Sequence, residues 1–279
     1  MSELMSATEL KQILNNKNTL IIDCRSDLTD RKKSRKLYEL DHIPGAIFAD
    51  LETDLSGEII PSITGRHPLP SVEDFELTLQ KWGVTTDHTI VVYDQLNSMF
   101  AARAWWLLKW AGLTNVKVLD GGYQTWQSEG GTTDSLIKQY PESQYKIKTI
   151  GNWTVNAEIL VSAPEQHLIL DARTLNRYRG DLEPLDAKAG HIPGAINADF
   201  TKNLQSNGMF RPGNELAKRF LKVQEKQTVC YCGSGVTACH NILAIVEAGY
   251  PMPKLYPGSW SEWITNPNRR IAIGSEGAI

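Results

Sequence analysis

Asp41-His-Ile-Pro-Gly-Ala-Ile-Phe-Ala-Asp50 returns later in the chain as Gly190-His-Ile-Pro-Gly-Ala-Ile-Asn-Ala-Asp199. Ahead of each copy stands a matching phrase, Leu20-Ile-Ile-Asp-Cys-Arg-Ser26 and Leu168-Ile-Leu-Asp-Ala-Arg-Thr174. Beyond them, Val91-Val-Tyr-Asp94 matches Val229-Cys-Tyr-Cys232, and Gly121-Gly-Tyr-Gln-Thr-Trp126 matches Gly258-Ser-Trp-Ser-Glu-Trp263. The order is kept while the offsets drift by a few residues, as loop insertions would cause. A period of roughly 140 residues is far too long for a solenoid. The chain reads as a duplicated domain: residues 1–134, a polar linker at 135–152, and residues 153–279.

Within each half, short runs rich in Ile and Val (Thr19–Asp23, Thr89–Tyr93, Val116–Leu119, His167–Asp171, Thr228–Tyr231) suit buried parallel strands. Ala101–Trp110 and Ala238–Ala248 read as helices that end at Gly112 and Gly249. The alternation predicts an α/β fold, with one open, mostly parallel sheet flanked by helices in each half. In the two H-I-P-G-A segments, Pro44 and Pro193 bias the preceding Ile to extended geometry, and the following Gly permits a turn into a strand. His42 and His191 fit a structural role in that turn.

Composition excludes several classes. Of 279 residues, 41% are hydrophobic and 22% charged, so the chain is not a disordered one. A net charge of −3 argues against a nucleic-acid binder held by phosphate contacts. The apolar runs fall far short of the ~18 residues a membrane span needs. Residues 1–20 lack both an apolar core and an arginine, so neither a signal nor a transit peptide is expected. Four cysteines without a C-x-x-C fit a reducing cytoplasm, and neither a metal site nor a cofactor is expected.

Chemistry concentrates in one loop. Val229-Cys-Tyr-Cys232 runs straight into Gly233-Ser-Gly-Val-Thr237 and the following helix. Cys232 therefore stands at the carboxyl end of a strand, where ligands of open α/β sheets bind. Gly233 and Gly235 let the backbone curl so that its N–H groups face inward. The helix start beyond them, with Val236 and the hydroxyl of Thr237, adds the positive end of its dipole. Such a cradle favours a nucleophilic thiolate and would hold a persulfide equally well. Cys24, Cys230 and Cys239 read as packed structural thiols. In the first half Asp94 stands where Cys232 does, and Gln95-Leu96-Asn97 replaces the glycine-rich loop, so that half lacks the nucleophile. Trp260 follows Gly258-Ser259 at the next loop on the same sheet edge. Arg66-His-Pro-Leu-Pro70 reads either as a loop lining the cleft or as a Pro-stiffened turn.

The duplicated domain, the paired H-I-P-G-A segments, the C-terminal cysteine and Gly258-Ser-Trp-Ser-Glu-Trp263 together resemble the two-domain rhodanese family of sulfurtransferases, over roughly Leu4 to Thr265. The C-G-S-G-V-T loop at Cys232–Thr237 is similar to that of its 3-mercaptopyruvate sulfurtransferases, whereas the thiosulfate type usually has C-R-K-G-V-T. The resemblance implies a ping-pong reaction. Cys232 takes a sulfane sulfur from a small-molecule donor and passes it to a thiol, cyanide or thioredoxin-like acceptor. It also implies a Ser–His–Asp relay, with Ser234 matching the serine, His42 the histidine and Asp30 the aspartate. Arg177, in Arg177-Tyr-Arg-Gly180, matches the family's carboxylate-binding arginine. After Glu183-Pro184 the mercaptopyruvate type often has a second arginine. Here Asp186 takes that place, as in thiosulfate-type members, with Arg179 or Lys188 as compensating cations. The loop, with Gly233 and Ser234 where a sulfonate would be met by two cations, points to 3-mercaptopyruvate; Asp186 points to thiosulfate.

Two rival classes fit less well. Cysteine phosphatases need an arginine six residues after the cysteine, where this chain has Ala238. A non-catalytic binding module would fit two halves built like the first, but not the intact loop at Cys232.

Overall fold

The computed structural model describes residues 2–27, 30–148, 151–275 and 277–279. They form two compact units, one of residues 1–57, 69–151 and 206–209, the other of residues 58–68, 152–205 and 210–279. Residues 149 and 150 of the expected linker, and residues 28 and 29, lie outside the described residues.

The first unit is built on strands β1 (Leu4–Met5), β2 (Thr19–Asp23), β3 (Ile47–Phe48), β4 (Thr89–Tyr93) and β5 (Val116–Leu119). Their order is β1-β5-β4-β2-β3, and every pairing is parallel. Helices α1 (Ala7–Ile13), α2 (Arg31–Leu40), α3 (Val72–Lys81), α4 (Met99–Trp110) and α5 (Gly122–Ser128) accompany them. Helix starts obey local chemistry: Ser6 and Glu9 form a reciprocal capping box at α1, and the Ser71 hydroxyl accepts the Asp74 N–H at α3. All five residues of β2 are buried, which explains why it reads as an unbroken apolar run instead of an alternating one.

The second unit repeats the plan with β6 (His167–Asp171), β7 (Ile196–Asn197), β8 (Gln227–Tyr231) and β9 (Lys254–Leu255), in the order β7-β6-β8-β9 and again all parallel. Its helices are α6 (Ala157–Ser162), α7 (Leu175–Arg179), α8 (Gly213–Arg219), α9 (Val236–Glu247) and α10 (Ser259–Trp263). Both H-I-P-G-A turns lead into short strands, β3 and β7. Asp23 with Arg25, and Asp171 with Arg173, form buried ion pairs just past β2 and β6. Tyr93 donates its hydroxyl to Asp23, and Arg173 also donates to the Gly190 carbonyl. These pairs tie each H-I-P-G-A turn to its sheet. Among the described residues, no helix is long and apolar enough to cross a membrane.

The stretch expected as a linker lies along the first unit. The Leu136 carbonyl bonds His42 Nε2, the Tyr140 hydroxyl donates to the Gly45 carbonyl, and Lys148 N–H donates to the Ala111 carbonyl.

The turn between β4 and α4 carries a buried carboxylate. Asp94 accepts the N–H groups of Leu96 (3.2 Å), Ser98 (2.9 Å), Phe100 (2.9 Å) and Ala101 (3.3 Å). Burial pushes its carboxyl above the ordinary value, and these four N–H groups pull the other way. The carboxylate is thus a resident anion in a cradle at the start of α4. Removing it leaves those donors without their acceptor. Asp94→Ala should cost about 2–4 kcal/mol in urea unfolding; a loss under about 0.5 kcal/mol would show that the cradle does not need the anion.

Candidate active site at the end of strand β8

Strand β8 ends at Tyr231, and α9 begins at Val236. Between them the chain reverses through Gly235, whose φ of 82° lies in the left-handed region. A Cβ there would stand 2.5 Å from the Pro257 carbonyl oxygen, so only glycine fits. The turn aims the Gly235 N–H at the Cys232 sulfur, 3.1 Å away. Cys232 is itself held from behind. Its N–H donates to Ser259 Oγ (3.1 Å), and its carbonyl accepts the Trp260 N–H (3.0 Å). Ser259 adopts φ 54°, unusual for a residue with a side chain, and its hydroxyl also donates to the Tyr256 carbonyl. Strain of this kind costs on the order of 1–3 kcal/mol and collects at functional sites.

The first unit holds the same frame. Tyr123 N–H donates to the Asp94 carbonyl, as Trp260 N–H does to that of Cys232, and Ser98 caps α4 with φ 57°, as Gly235 caps α9. The two loops differ in the group they hold: a carboxylate in one, a sulfur in the other.

Beside Cys232 the Ser234 hydroxyl shares a 2.7 Å hydrogen bond with His67 Nδ1, and both residues are buried. Over Gly233 stand two guanidinium groups. A Cβ on Gly233 would lie 2.9 Å from Arg66 Nη2 and 3.3 Å from Arg177 Nη2. Arg66 is anchored by its backbone N–H to Ser261 Oγ (3.1 Å) and by its side chain to Asp186. Burial pulls its guanidinium below the ordinary value, while the charge of Cys232 acts in the opposite direction. Arg177 grips Glu183 through Nε and Nη2 (2.7–3.2 Å) and reaches Asp186 Oδ2 at 3.1 Å. Arg173, stacked 4.8 Å over Trp260, also reaches Glu183.

This geometry revises several sequence expectations. The histidine on Ser234 is His67, not His42. His42 is buried in the first unit, stacked on Tyr38, with Nδ1 bonded to the Tyr38 carbonyl and Nε2 to that of Leu136. Asp30 caps helix α2 through the N–H groups of Lys32 and Lys33. Trp260 packs fully buried in the core, its indole N–H on the Lys188 carbonyl. Lys188 itself is exposed, and Arg179 pairs with Asp181 on the surface. The structure brings together Cys232, Gly233, Ser234, Gly235, Arg177 and the first turn of α9 with Val236 and Thr237. It adds Arg66 and His67, which the sequence marked only through Arg66-His-Pro-Leu-Pro70. The loop brings no cation of its own, yet two cations stand over it.

The other thiols behave as packing groups. Burial pushes Cys230 and Cys24 well above the ordinary thiol value, and Cys239 donates to the Gly235 carbonyl.

Comparison with known proteins agrees with this architecture. Residues 6–129 and 157–266 each match the model of the rhodanese-like domain. A Pseudomonas aeruginosa protein named probable 3-mercaptopyruvate sulfurtransferase is 43% identical, the match covering 98% of this chain and 99% of that one. A Mycobacterium tuberculosis protein named putative thiosulfate sulfurtransferase is 38% identical, over 98% of this chain and 97% of the relative. The solved structure of a 3-mercaptopyruvate sulfurtransferase from Leishmania major superposes with a TM-score of 0.83 at 30% identity, covering 94% of this chain and 74% of that one.

Gly235 gives the site its sharpest stability test. Gly235→Ala must accept both a left-handed backbone and an overlap with the Pro257 carbonyl, and should lose roughly 2 kcal/mol or more in urea unfolding. Wild-type stability in that variant would mean that the turn at Cys232 does not depend on glycine.

Proposed function

The chain belongs to the rhodanese family, and from that premise we propose that it is a sulfurtransferase that carries a sulfane sulfur on Cys232, taken from 3-mercaptopyruvate. The observation that supports the cysteine is its sulfur, bonded to the Gly235 N–H in a loop whose Gly233 lies beneath two guanidinium groups. Negative charge on that sulfur, or on the outer sulfur of a persulfide, meets a backbone dipole, a helix start and two cations.

The Cys232 thiolate attacks the donor sulfur. The bond from that sulfur to the donor's C3 breaks, and its electron pair leaves as the enolate of pyruvate. The enolate takes up a proton at C3 and departs as pyruvate. The outer sulfur remains on Cys232 as a persulfide. A thiol, cyanide or thioredoxin-like acceptor then attacks that sulfur, the S–S bond breaks, and the Cys232 thiolate is restored. In this reading Arg66 and Arg177 hold the donor's carboxylate through charge-assisted hydrogen bonds. Ser234 and His67 supply the proton that the enolate needs, since their 2.7 Å contact forms a relay beside the reacting sulfur.

Thiosulfate is the second reading. Two guanidinium groups over the loop could grip its sulfonate, and the Mycobacterium tuberculosis relative carries that name. Its leaving group, sulfite, needs no proton, so the Ser234–His67 pair favours mercaptopyruvate.

The donors separate the two readings. kcat/KM for 3-mercaptopyruvate should exceed that for thiosulfate by at least about tenfold, a difference of roughly 1.4 kcal/mol; a preference for thiosulfate would reverse the assignment of donor. His67→Ala should slow turnover of mercaptopyruvate on the order of a hundredfold and leave that of thiosulfate much less affected. An equal loss with both donors would remove the relay. Mass spectrometry after donor treatment should find one extra sulfur atom, on Cys232 alone. Full activity in Cys232→Ser would overturn the mechanism.

A further inference from the structure

Asp186 stands between the two arginines that cover the loop. One carboxylate oxygen takes Arg66 Nη1, and the other takes Arg177 Nη2 at 3.1 Å. Its own side chain is only 3% exposed, against 33% for Arg66 and 17% for Arg177. A neighbouring turn holds it in place, because the N–H groups of Leu185 and Asp186 both donate to Glu183 Oε1. Glu183 in turn takes Nε and Nη2 of Arg177.

The charges of this cluster cancel. Arg66 and Arg177 bring two positive charges, Asp186 and Glu183 two negative ones, and Arg173 is matched by Asp171. What remains over Gly233 is a set of N–H donors with no net charge behind them. Such a set can satisfy one carboxylate, whose single charge is spread over two oxygens. The Cys232 thiolate adds a negative charge of its own beside Arg66, so each further charge on the donor enters a half-buried space with less to balance it, and a dianion costs more than a monoanion. Both carboxylate oxygens of Asp186 are thus engaged by arginines that stand over the loop.

Resting on the sulfurtransferase reading, we propose that Asp186 sets the charge of the donor that this site accepts, holding Arg66 and Arg177 as a neutralised pair that selects monoanionic donors such as an α-keto carboxylate over dianions such as thiosulfate. Asparagine keeps the shape but removes one negative charge. It can also accept from only one of the two arginines, since its amide nitrogen repels the other. One guanidinium is thereby released toward the donor.

The test compares wild type, Asp186→Asn and Asp186→Glu with both donors and one common acceptor. Asp186→Asn should move the ratio of kcat/KM toward thiosulfate by about tenfold, mostly through KM, while Asp186→Glu, which keeps the charge, stays within about threefold of wild type. An unchanged ratio in Asp186→Asn, an equal loss with both donors, or an equal shift in Asp186→Glu would each overturn the proposal. A second measurement needs neither turnover nor a stable variant. Protection of wild-type Cys232 from iodoacetamide should require less pyruvate than sulfate. Sulfate protecting about tenfold more tightly than pyruvate would overturn the charge selection. Failure of both donors to load Cys232 would instead strike the sulfurtransferase reading, and the alkylation result would still decide whether the site prefers a monoanion to a dianion.

Discussion

The hydrogen bond from the Gly235 N–H to the Cys232 sulfur is the contact on which the site depends. It exists because a parallel strand must end and a helix must begin within a few residues, leaving N–H groups that no helical carbonyl can satisfy. Any anion placed there completes them. The buried β8, the left-handed Gly235 and the strained Ser259 all serve that reversal. Arg66 and Arg177 stand over Gly233 of the same loop, and Ser234 in that loop bonds His67.

The duplication makes the same point without chemistry. Asp94 accepts four N–H groups in the matching turn and so fills its cradle permanently with a carboxylate. The chain thus contains one cradle occupied by its own side chain and one that presents a sulfur. The frame is shared, down to the backbone bonds from Tyr123 and Trp260, and the two halves differ in the residue at the strand end, a carboxylate in one and a thiol in the other.

Much of this could be read from the residues. The apolar runs at Thr19–Asp23, Thr89–Tyr93, Val116–Leu119 and His167–Asp171 are strands with those bounds, because burial on both faces leaves a continuous apolar signal. Cys232 was legible because strand, glycine loop and helix are contiguous in sequence. His67 and Arg66 were not. They lie on residues 58–68, an irregular stretch with no periodicity, and the contacts that give them meaning are with Ser234, Asp186 and Ser261, more than a hundred residues away. His42 looked equally apt as a relay histidine, since nothing local records that its ring is spent on the carbonyls of Tyr38 and Leu136. From sequence Asp186 points to thiosulfate, because its partner Arg66, 120 residues away, cannot be seen from its neighbours in the chain. Trp260, expected at the sheet edge, turns inward, its indole ring packed under Arg173 within the core.

A crystal structure of the donor-treated protein would show where the transferred sulfur sits. The outer sulfur of a Cys232 persulfide should lie within hydrogen-bonding reach of the loop N–H groups, under the guanidinium groups of Arg66 and Arg177, with Ser234 still bonded to His67. An outer sulfur turned away from the loop, or carried on another cysteine, would contradict that placement.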